Sequence, residues 1–419
     1  MDKFLVGVCT ASVTPSLGTP LGGYRRYRPA SSVLDELKVK CLALQHNKRV
    51  LVVISADALA VSNHFVRKVK PMIASQLAIN DESILIAASH THSAPDTLGF
   101  ASLRNRKDGR EYLKVLQTAM LQVASRAWRE KFTAQAYAST GKALIGFNRV
   151  NTELARPLYR TLLRTGLIRF VSGVTDLLPL ESRKNSRVLV GPVDPSLNVI
   201  WFEGTDGRGA ALVNYACHPT VLGPRSRAVS GDFPSVVTTT IEGHFGKRFV
   251  ALFVNGAAGN INPISCRGYR CDGTAEDLRH IGRSLAAQAL QAMRTSATPL
   301  GVHLEVSNVS VPTSGHDEIP IQLIRVGDRV MVAVPGELFV ETALEMRTDT
   351  SERFFIAGYA NGYFGYFPPE YAFRVRCRET ERTWWNLAER GVAEKINKIV
   401  REMAISSNNC PKTVQLHRG

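Results

Sequence analysis

Three histidines and one glutamate stand out because each follows a stretch that reads as a strand. His90 and His92, in Ser89-His90-Thr91-His92, come just after the apolar run Ser83 to Ala88. If strand geometry continues there, residues two apart point the same way, and both imidazoles leave one face together. Such a pair is a start to a metal site; two surface or hydrogen-bonded histidines are the plainer alternative. His218 follows Ala210 to Tyr215, and Pro219 disfavours helix at His218, so a second strand exit supplies a third imidazole. Glu337 follows Val330 to Val334 through Pro335-Gly336. Two histidines with a carboxylate form a recognised zinc donor set. A carboxylate at a helix N-terminus is the alternative for Glu337.

Two loops accompany these residues. The run Phe249 to Val254 leads into Asn255-Gly256-Ala257-Ala258-Gly259-Asn260-Ile261-Asn262-Pro263. Small residues there let backbone approach a ligand, and loop amides with Asn side chains could act as oxyanion donors. Asn255, Gly256 and Ala257 are therefore expected to line the substrate; an ordinary Gly-rich turn is the alternative. Asn361 to Tyr366 follows a short strand, Phe354 to Gly358. Its Tyr363 and Tyr366 are either core aromatics or phenols that reach a metal.

The elements that must position these groups read as alternating strands and helices. Strands are expected at Lys38 to Gln45, Val50 to Ser55, Thr133 to Ala138, Leu197 to Phe202, Val302 to Val311 and Ile321 to Val326. Helices are expected at Ala60 to Leu77, broken or kinked at Pro71, and at Arg110 to Trp128, Phe233 to His244, Thr274 to Met293 and Thr383 to Met403. Some neighbouring strands lack a helix between them, which implies α/β architecture with mixed sheets flanked by helices. The expectation is one domain over 1–419, with 159–187 as a basic, apolar flap or a packed insertion.

The composition is that of a folded chain: 419 residues, 44% hydrophobic and 21% charged. No window approaches the roughly 20 apolar residues of a membrane span. The opening Met1-Asp2-Lys3-Phe4 shows no signal-peptide pattern, so the expected location is cytoplasmic. Seven cysteines are scattered, and Cys266 and Cys271 read as free thiols, since a zinc knuckle needs two more ligands nearby. The net charge of +16 favours acidic partners and makes an anionic membrane surface a candidate, although a solvated basic surface explains it equally. No nucleic-acid motif accompanies the charge, so nucleic acid is not expected as a partner.

The order of the motifs is specific. Val6-Gly7 through Thr14-Pro15, Gly18 to Leu21, Gly23-Tyr24, Ser89 to Pro95, Asn148-Arg149, Tyr215 to Leu222, Gly231-Asp232, Asn255 to Pro263, Pro335 to Glu337 and Asn361 to Tyr366 follow one another along the chain. Together they resemble the N-terminal catalytic domain of the neutral/alkaline ceramidases, over about residues 5 to 400. Each motif alone is weak; the ordered set is strong. The resemblance implies that domain's fold, without the family's C-terminal immunoglobulin-like domain. It also implies one Zn2+ per chain, held by His90, His218, Glu337 and Tyr366. It places His92 and Arg149 at the reaction centre and Asp232 behind it, fixing a ligand or loop.

Two positions depart from the family. The family's Gly-Asp-Val-Ser-Pro-Asn stretch is here Gly259-Asn260-Ile261-Asn262-Pro263-Ile264, so Asn262 stands where the serine acts. An amide replaces neither a nucleophilic hydroxyl nor a proton relay. Leu34-Asp35 lacks the histidine that often precedes that aspartate. The expected activity is zinc-dependent hydrolysis of an amide (N-acyl) or related acyl bond in a small-molecule or lipid-like substrate other than ceramide. His92, Arg149, Asn262 and Tyr366 are the expected catalytic residues. The alternatives are zinc-dependent acyl transfer or condensation in a biosynthetic pathway, and a non-catalytic basic module that binds a membrane surface or partner.

Overall fold

The computed structural model describes residues 3–24, 27–99, 105–150, 192–266, 271–315, 318–350 and 353–408. The segment 159–187 lies outside the described residues. The chain begins with β1 (Phe4–Ser12), β2 (Ser32–Val33), β3 (Lys38–His46) and β4 (Arg49–Ala56). Helix α1 (Asn63–Leu77) follows, with the Ser62 hydroxyl accepting from the Phe65 N–H at its start. Pro71 lies within this helix and does not end it. Proline removes one hydrogen bond, while Phe65, Val66, Val69, Ile73 and Leu77 bury one face and hold the helix through it. Next come β5 (Ile84–Ala88), α2 (Asn105–Arg129), β6 (Phe132–Lys142), β7 (Gly146–Asn148), β8 (Ser196–Gly204), β9 (Gly209–Tyr215) and β10 (Ala228–Val229).

The second half starts with α3 (Asp232–Phe245), β11 (Phe249–Asn255) and β12 (Ile261–Pro263). Helix α4 (Ala275–Thr295) opens with a capping box between Thr274 and Asp277. Then follow β13 (Thr298–Pro299), β14 (Leu304–Pro312), β15 (Glu318–Val326), β16 (Arg329–Ala333), β17 (Glu337–Leu338), α5 (Val340–Thr350), β18 (Phe354–Ala357), β19 (Tyr366–Phe367), α6 (Glu370–Arg374) and α7 (Val392–Asn408). The helix expected over Thr383 to Met403 thus begins only at Val392. Gly391 takes φ 78, and the residues before it form an irregular segment pinned by Asn386. Among the described residues, no helix is long and apolar enough to cross a membrane.

The main sheet runs β11-β9-β8-β6-β1-β3-β4-β5, with β13 added beside β6. Its end pairs, β11 with β9 and β4 with β5, are parallel, and the inner pairs are antiparallel. A second mixed sheet runs β14-β15-β16-β18. The architecture is therefore α/β with mixed sheets, as the alternation of elements implies.

Period-two alternation distributes the core. On β3 and β4, Cys41, Ala43, Val52 and Ile54 face α1 and α2. Their neighbours Leu42, Leu44, Leu51 and Val53 face the second sheet, packing with Ile324, Val326, Met331 and Phe355. At the other end of the main sheet, Val199, Trp201, Val213 and Phe253 face α3 and α4. Ile321, Leu323, Val332 and Ile356 turn from the second sheet toward α5 and α7. The central strands of both sheets are buried on both faces, which is why they read as unbroken apolar runs.

The two edge strands of the main sheet come together. The Ser55 hydroxyl donates to the Phe253 carbonyl at 2.6 Å, and the Asn255 amide donates to the Ser89 carbonyl at 3.2 Å. The turn after β18 joins them: the Gly358 N–H donates to Asn255 O, the Ala88 N–H to Tyr359 O, and the Asn361 N–H to Ile86 O. The exits of β5, β9, β11, β16 and β18 thereby converge on one place.

Candidate active site

At that convergence His90 leaves β5 with φ 71, a left-handed conformation. The strand does not continue through the His-Thr-His segment, so strand alternation is not what aligns its imidazoles. Ser89 and His90 instead donate their N–H groups to Ala56 and Ala58 carbonyls, and the turned backbone brings the two Nε2 atoms to 3.3 Å. Asp232, Tyr359 and Asn361 near the site also have positive φ. Each such residue costs on the order of 1 kcal/mol or more and persists only where its surroundings enforce it.

The tautomers follow from the hydrogen bonds. Nδ1 of His90 lies 2.6 Å from the Leu59 carbonyl, and Nδ1 of His218 lies 2.6 Å from the Ala258 carbonyl. A carbonyl only accepts, so each Nδ1 carries the proton and each Nε2 is a bare lone pair. Burial lowers both imidazoles from their ordinary range, His90 to about 3, so neither gains a second proton near neutrality. Glu337 then places Oε2 at 3.1 Å from His218 Nε2 and 3.6 Å from His90 Nε2. His218 Nε2 is buried without a hydrogen-bond partner. With Glu337 ionised, acceptor faces acceptor at these distances, which is repulsive in a dry site, and a cation among them both reverses the sign and keeps the carboxylate charged.

The chemistry of this donor set fits a metal ion. His90, His92 and His218 bring their ring nitrogens within 4.8 Å of one another, a group that could hold one. Glu337 is steadied from outside: the Tyr363 hydroxyl donates to Oε1 at 2.5 Å, and the Tyr359 hydroxyl to Oε2 at 3.4 Å. Tyr359 also stacks on the His90 ring at 3.9 Å. Burial pushes the Glu337 carboxyl up, opposed by His90 and Tyr363. Gly23, at φ 81, packs under His92; a Cβ there would lie 2.4 Å from the ring.

Arg149 follows β7, whose partner strand β12 carries Asn262. The guanidinium donates through Nε to Glu379 Oε1 at 2.8 Å and through Nη1 to Asn262 Oδ1 at 2.8 Å. Through Nη2 it reaches Gly259 O at 2.7 Å and the Tyr366 oxygen at 3.1 Å. The Asn262 Nδ2 points toward Cys271 Sγ at 3.8 Å.

His90, His92, Arg149, His218, Asn262, Glu337, Tyr363 and Tyr366 all line one cavity of about 480 Å³. The strand-exit reasoning and the family resemblance therefore lead to a single place. Other expected contacts lie behind it. Asn255 is fully buried, with its amide donating to Ser89 and Cys217 carbonyls and its Oδ1 accepting from the Cys217 and Gly256 N–H groups. The Gly256 and Gly259 N–H groups donate to Tyr215 and Leu338 carbonyls, and Ala257 packs in the core. Asn255, Gly256 and Ala257 thus tie strand ends together and do not border the cavity, because internal backbone acceptors already use the loop's hydrogen bonds. Asp232 also stands behind, accepting from the Val221, Leu222 and Phe233 N–H groups and fixing the loop after His218.

Cys266 and Cys271 correct another expectation: they form a disulfide, their Cα atoms 4.2 Å apart. Cys271 lines the cavity. Residues that sequence reasoning did not single out include Tyr359, Glu379, Thr220, Trp384 and Trp385. Tyr359 stands two residues past the end of β18, as Glu337 stands four past the end of β16, and that place after a strand was its available signal. Glu379 sits in a single 3-10 turn, Arg378–Thr380, too short to show a period.

No family model matches this chain, and no curated protein matches it. Solved structures do. The chain superposes on the neutral ceramidase from Pseudomonas aeruginosa with a TM-score of 0.75 and 15% identity, over 97% of this chain and 75% of that one. It superposes on a ceramidase complexed with C2 with a TM-score of 0.74 and 14% identity, over 97% and 76% of the respective chains. At such identities the likeness establishes the fold, which is that of a neutral-ceramidase-like domain.

Proposed function

We propose that this single neutral-ceramidase-like domain is a zinc-dependent hydrolase of an amide (N-acyl) or related acyl bond in a lipid-like substrate other than ceramide. One observation carries the reading: His218 Nε2 and Glu337 Oε2, both acceptors, face each other at 3.1 Å. Neutral imidazoles with one carboxylate are a zinc donor set. His90, His218 and Glu337 would hold the ion, with His92 and the Tyr366 phenol beside them. Bound there, zinc supplies a Lewis acid and lowers the pKa of a coordinated water toward about 7.

The protein's own groups do the rest. Arg149 is held rigidly by Glu379, so Asn262 and Tyr366 have fixed positions at the cavity wall. Arg149 and Tyr366 support negative charge developing on a carbonyl oxygen. Asn262 commits its Oδ1 to Arg149 and turns its Nδ2 toward Cys271 Sγ; a substrate carbonyl at the wall would take over that amide as its acceptor. His92, neutral because burial lowers its pKa, is the group assigned to take the proton that the attacking water gives up and pass it to the leaving amine. Without a serine hydroxyl at position 262, attack comes from water. The Cys266–Cys271 disulfide favours an oxidising compartment over the cytoplasmic placement read from the sequence.

Metal analysis of the purified protein, beside a His218→Ala variant, tests this reading. We expect about one zinc per chain, lost in the variant together with at least about 10³-fold of the activity on N-acyl amides. Absence of bound zinc after zinc loading would overturn it.

A further inference from the structure

Trp384 is 73% exposed, the largest exposure among the big hydrophobic side chains described, and it also lines the cavity that holds His90, His218 and Glu337. Large apolar groups left open at the mouth of a cleft mark contact sites. The rest of the described wall is made mostly of polar residues and tyrosines, and its wholly apolar or indole members are differently placed. Leu59 is buried, and Trp385 is half-buried with its ring edge-on to Tyr366 at 6.1 Å.

The segment presenting Trp384 is tightly held. Thr383 and Asn386 exchange backbone hydrogen bonds, N–H to carbonyl, at 3.0 and 3.3 Å, so the two tryptophans occupy the middle of a closed turn. The Asn386 amide donates to the Glu379 and Glu381 carbonyls at 3.0 and 2.9 Å, and its Oδ1 accepts from the Tyr366 N–H at 2.7 Å. Glu379 is in turn clamped by Arg149. One indole of the turn is built into the wall while the other is directed outward. With the backbone of the turn fixed before the ligand arrives, only the two side-chain torsions of the indole remain to be ordered on binding.

From this we infer that Trp384 determines specificity by forming the platform on which the apolar chain of the substrate lies. The inference rests on the reading of the site as an acyl-bond hydrolase. With the scissile carbonyl at the imidazole cluster, an acyl chain of more than a few carbons must leave the polar interior, and Trp384 is the exposed apolar surface at its exit. The platform therefore selects for chain length and does not take part in bond breaking.

The test uses two anilides of one chromogenic amine, N-acetyl and N-octanoyl, on the full zinc-loaded chain. The octanoyl-to-acetyl ratio of kcat/KM should fall about tenfold in Trp384→Ala, through KM rather than kcat, and be largely kept in Trp384→Phe. A ratio within twofold of wild type in the alanine variant overturns the inference and leaves the hydrolase reading intact. If wild type cleaves neither anilide, indole emission decides: the chain has four tryptophans, and subtracting Trp384→Phe isolates one. A saturable change on adding the octanoyl compound, absent with the acetyl compound and lost in Trp384→Phe, supports the platform although the hydrolase reading has failed. No such change overturns the platform as well.

Discussion

Around Arg149 each guanidinium nitrogen meets an acceptor, whereas around Glu337 acceptors meet one another. The first cluster is electrostatically complete: Arg149 and Glu379 are both buried and paired at 2.8 Å, and the remaining nitrogens hold Asn262, Gly259 and Tyr366. The second has two Nε2 lone pairs and a carboxylate oxygen within 3.6 Å, with their Nδ1 protons committed to backbone carbonyls. Both clusters border one cavity. A protein that tolerates such an arrangement in one wall while fully pairing the other has a fixed scaffold on one side and, on the other, a place for a cation.

The sharpest way to break this contrast is to unpair the complete cluster. Glu379→Gln removes the charge that Arg149 pairs with and leaves a buried guanidinium uncompensated. Unfolding free energy should fall by about 3–5 kcal/mol in denaturant titration. Zinc stoichiometry should survive, because no histidine of the other cluster is anchored by Glu379. Loss of zinc in a variant that remains folded would show that the two clusters are one unit.

A smaller effect probes the incomplete cluster. Tyr363→Phe deletes the hydroxyl that donates to Glu337 Oε1 at 2.5 Å and leaves the ring in place. Groups that orient a metal ligand from outside are worth about 10–100-fold in affinity. Competition with a chromophoric chelator should show zinc binding weakened by that factor with the thermal midpoint of the metal-free protein little changed. Unaltered affinity would remove Glu337 from the donor set.

What the sequence disclosed and what it hid follow the same division. The strands were legible because burial on both faces makes long apolar runs, and the histidines and Glu337 were legible because each follows such a run. Glu379 and Trp384 were not, since they lie in a single 3-10 turn and in the irregular segment after it, both too short to show a period. The apolar spacing of Thr383 to Met403 mimics a helix, and only the side-chain bonds of Asn386 show why its first residues leave one. His90 teaches a different lesson. The pairing of His90 with His92 was anticipated from strand alternation, but a left-handed turn produces it. The cysteine pair was hidden because a separation of five does not by itself bring two Cα atoms to 4.2 Å.

A third carboxylate belongs to neither cluster. Asp232 is fully buried, accepts three backbone N–H groups, and holds the loop between His218 and the cavity rim. Burial raises its carboxyl to about 7, against the downward pull of those N–H groups. In the unfolded chain the same group titrates near about 3.9. Between these values the folded protein keeps a proton that the unfolded chain has released. Its contribution to stability is therefore full below about pH 4 and is lost as pH rises through about 7, at no more than about 1.4 kcal/mol per pH unit. Asp232→Asn has no proton to lose, so the difference in unfolding free energy between wild type and variant should drift in the variant's favour as pH rises from 4.5 to 7. Chelated, metal-free protein is the right sample, because the histidines then titrate alike in both proteins and cancel in the difference. Parallel curves would mean that the N–H groups overcome burial and that Asp232 is charged throughout, an anionic clamp on the loop after His218.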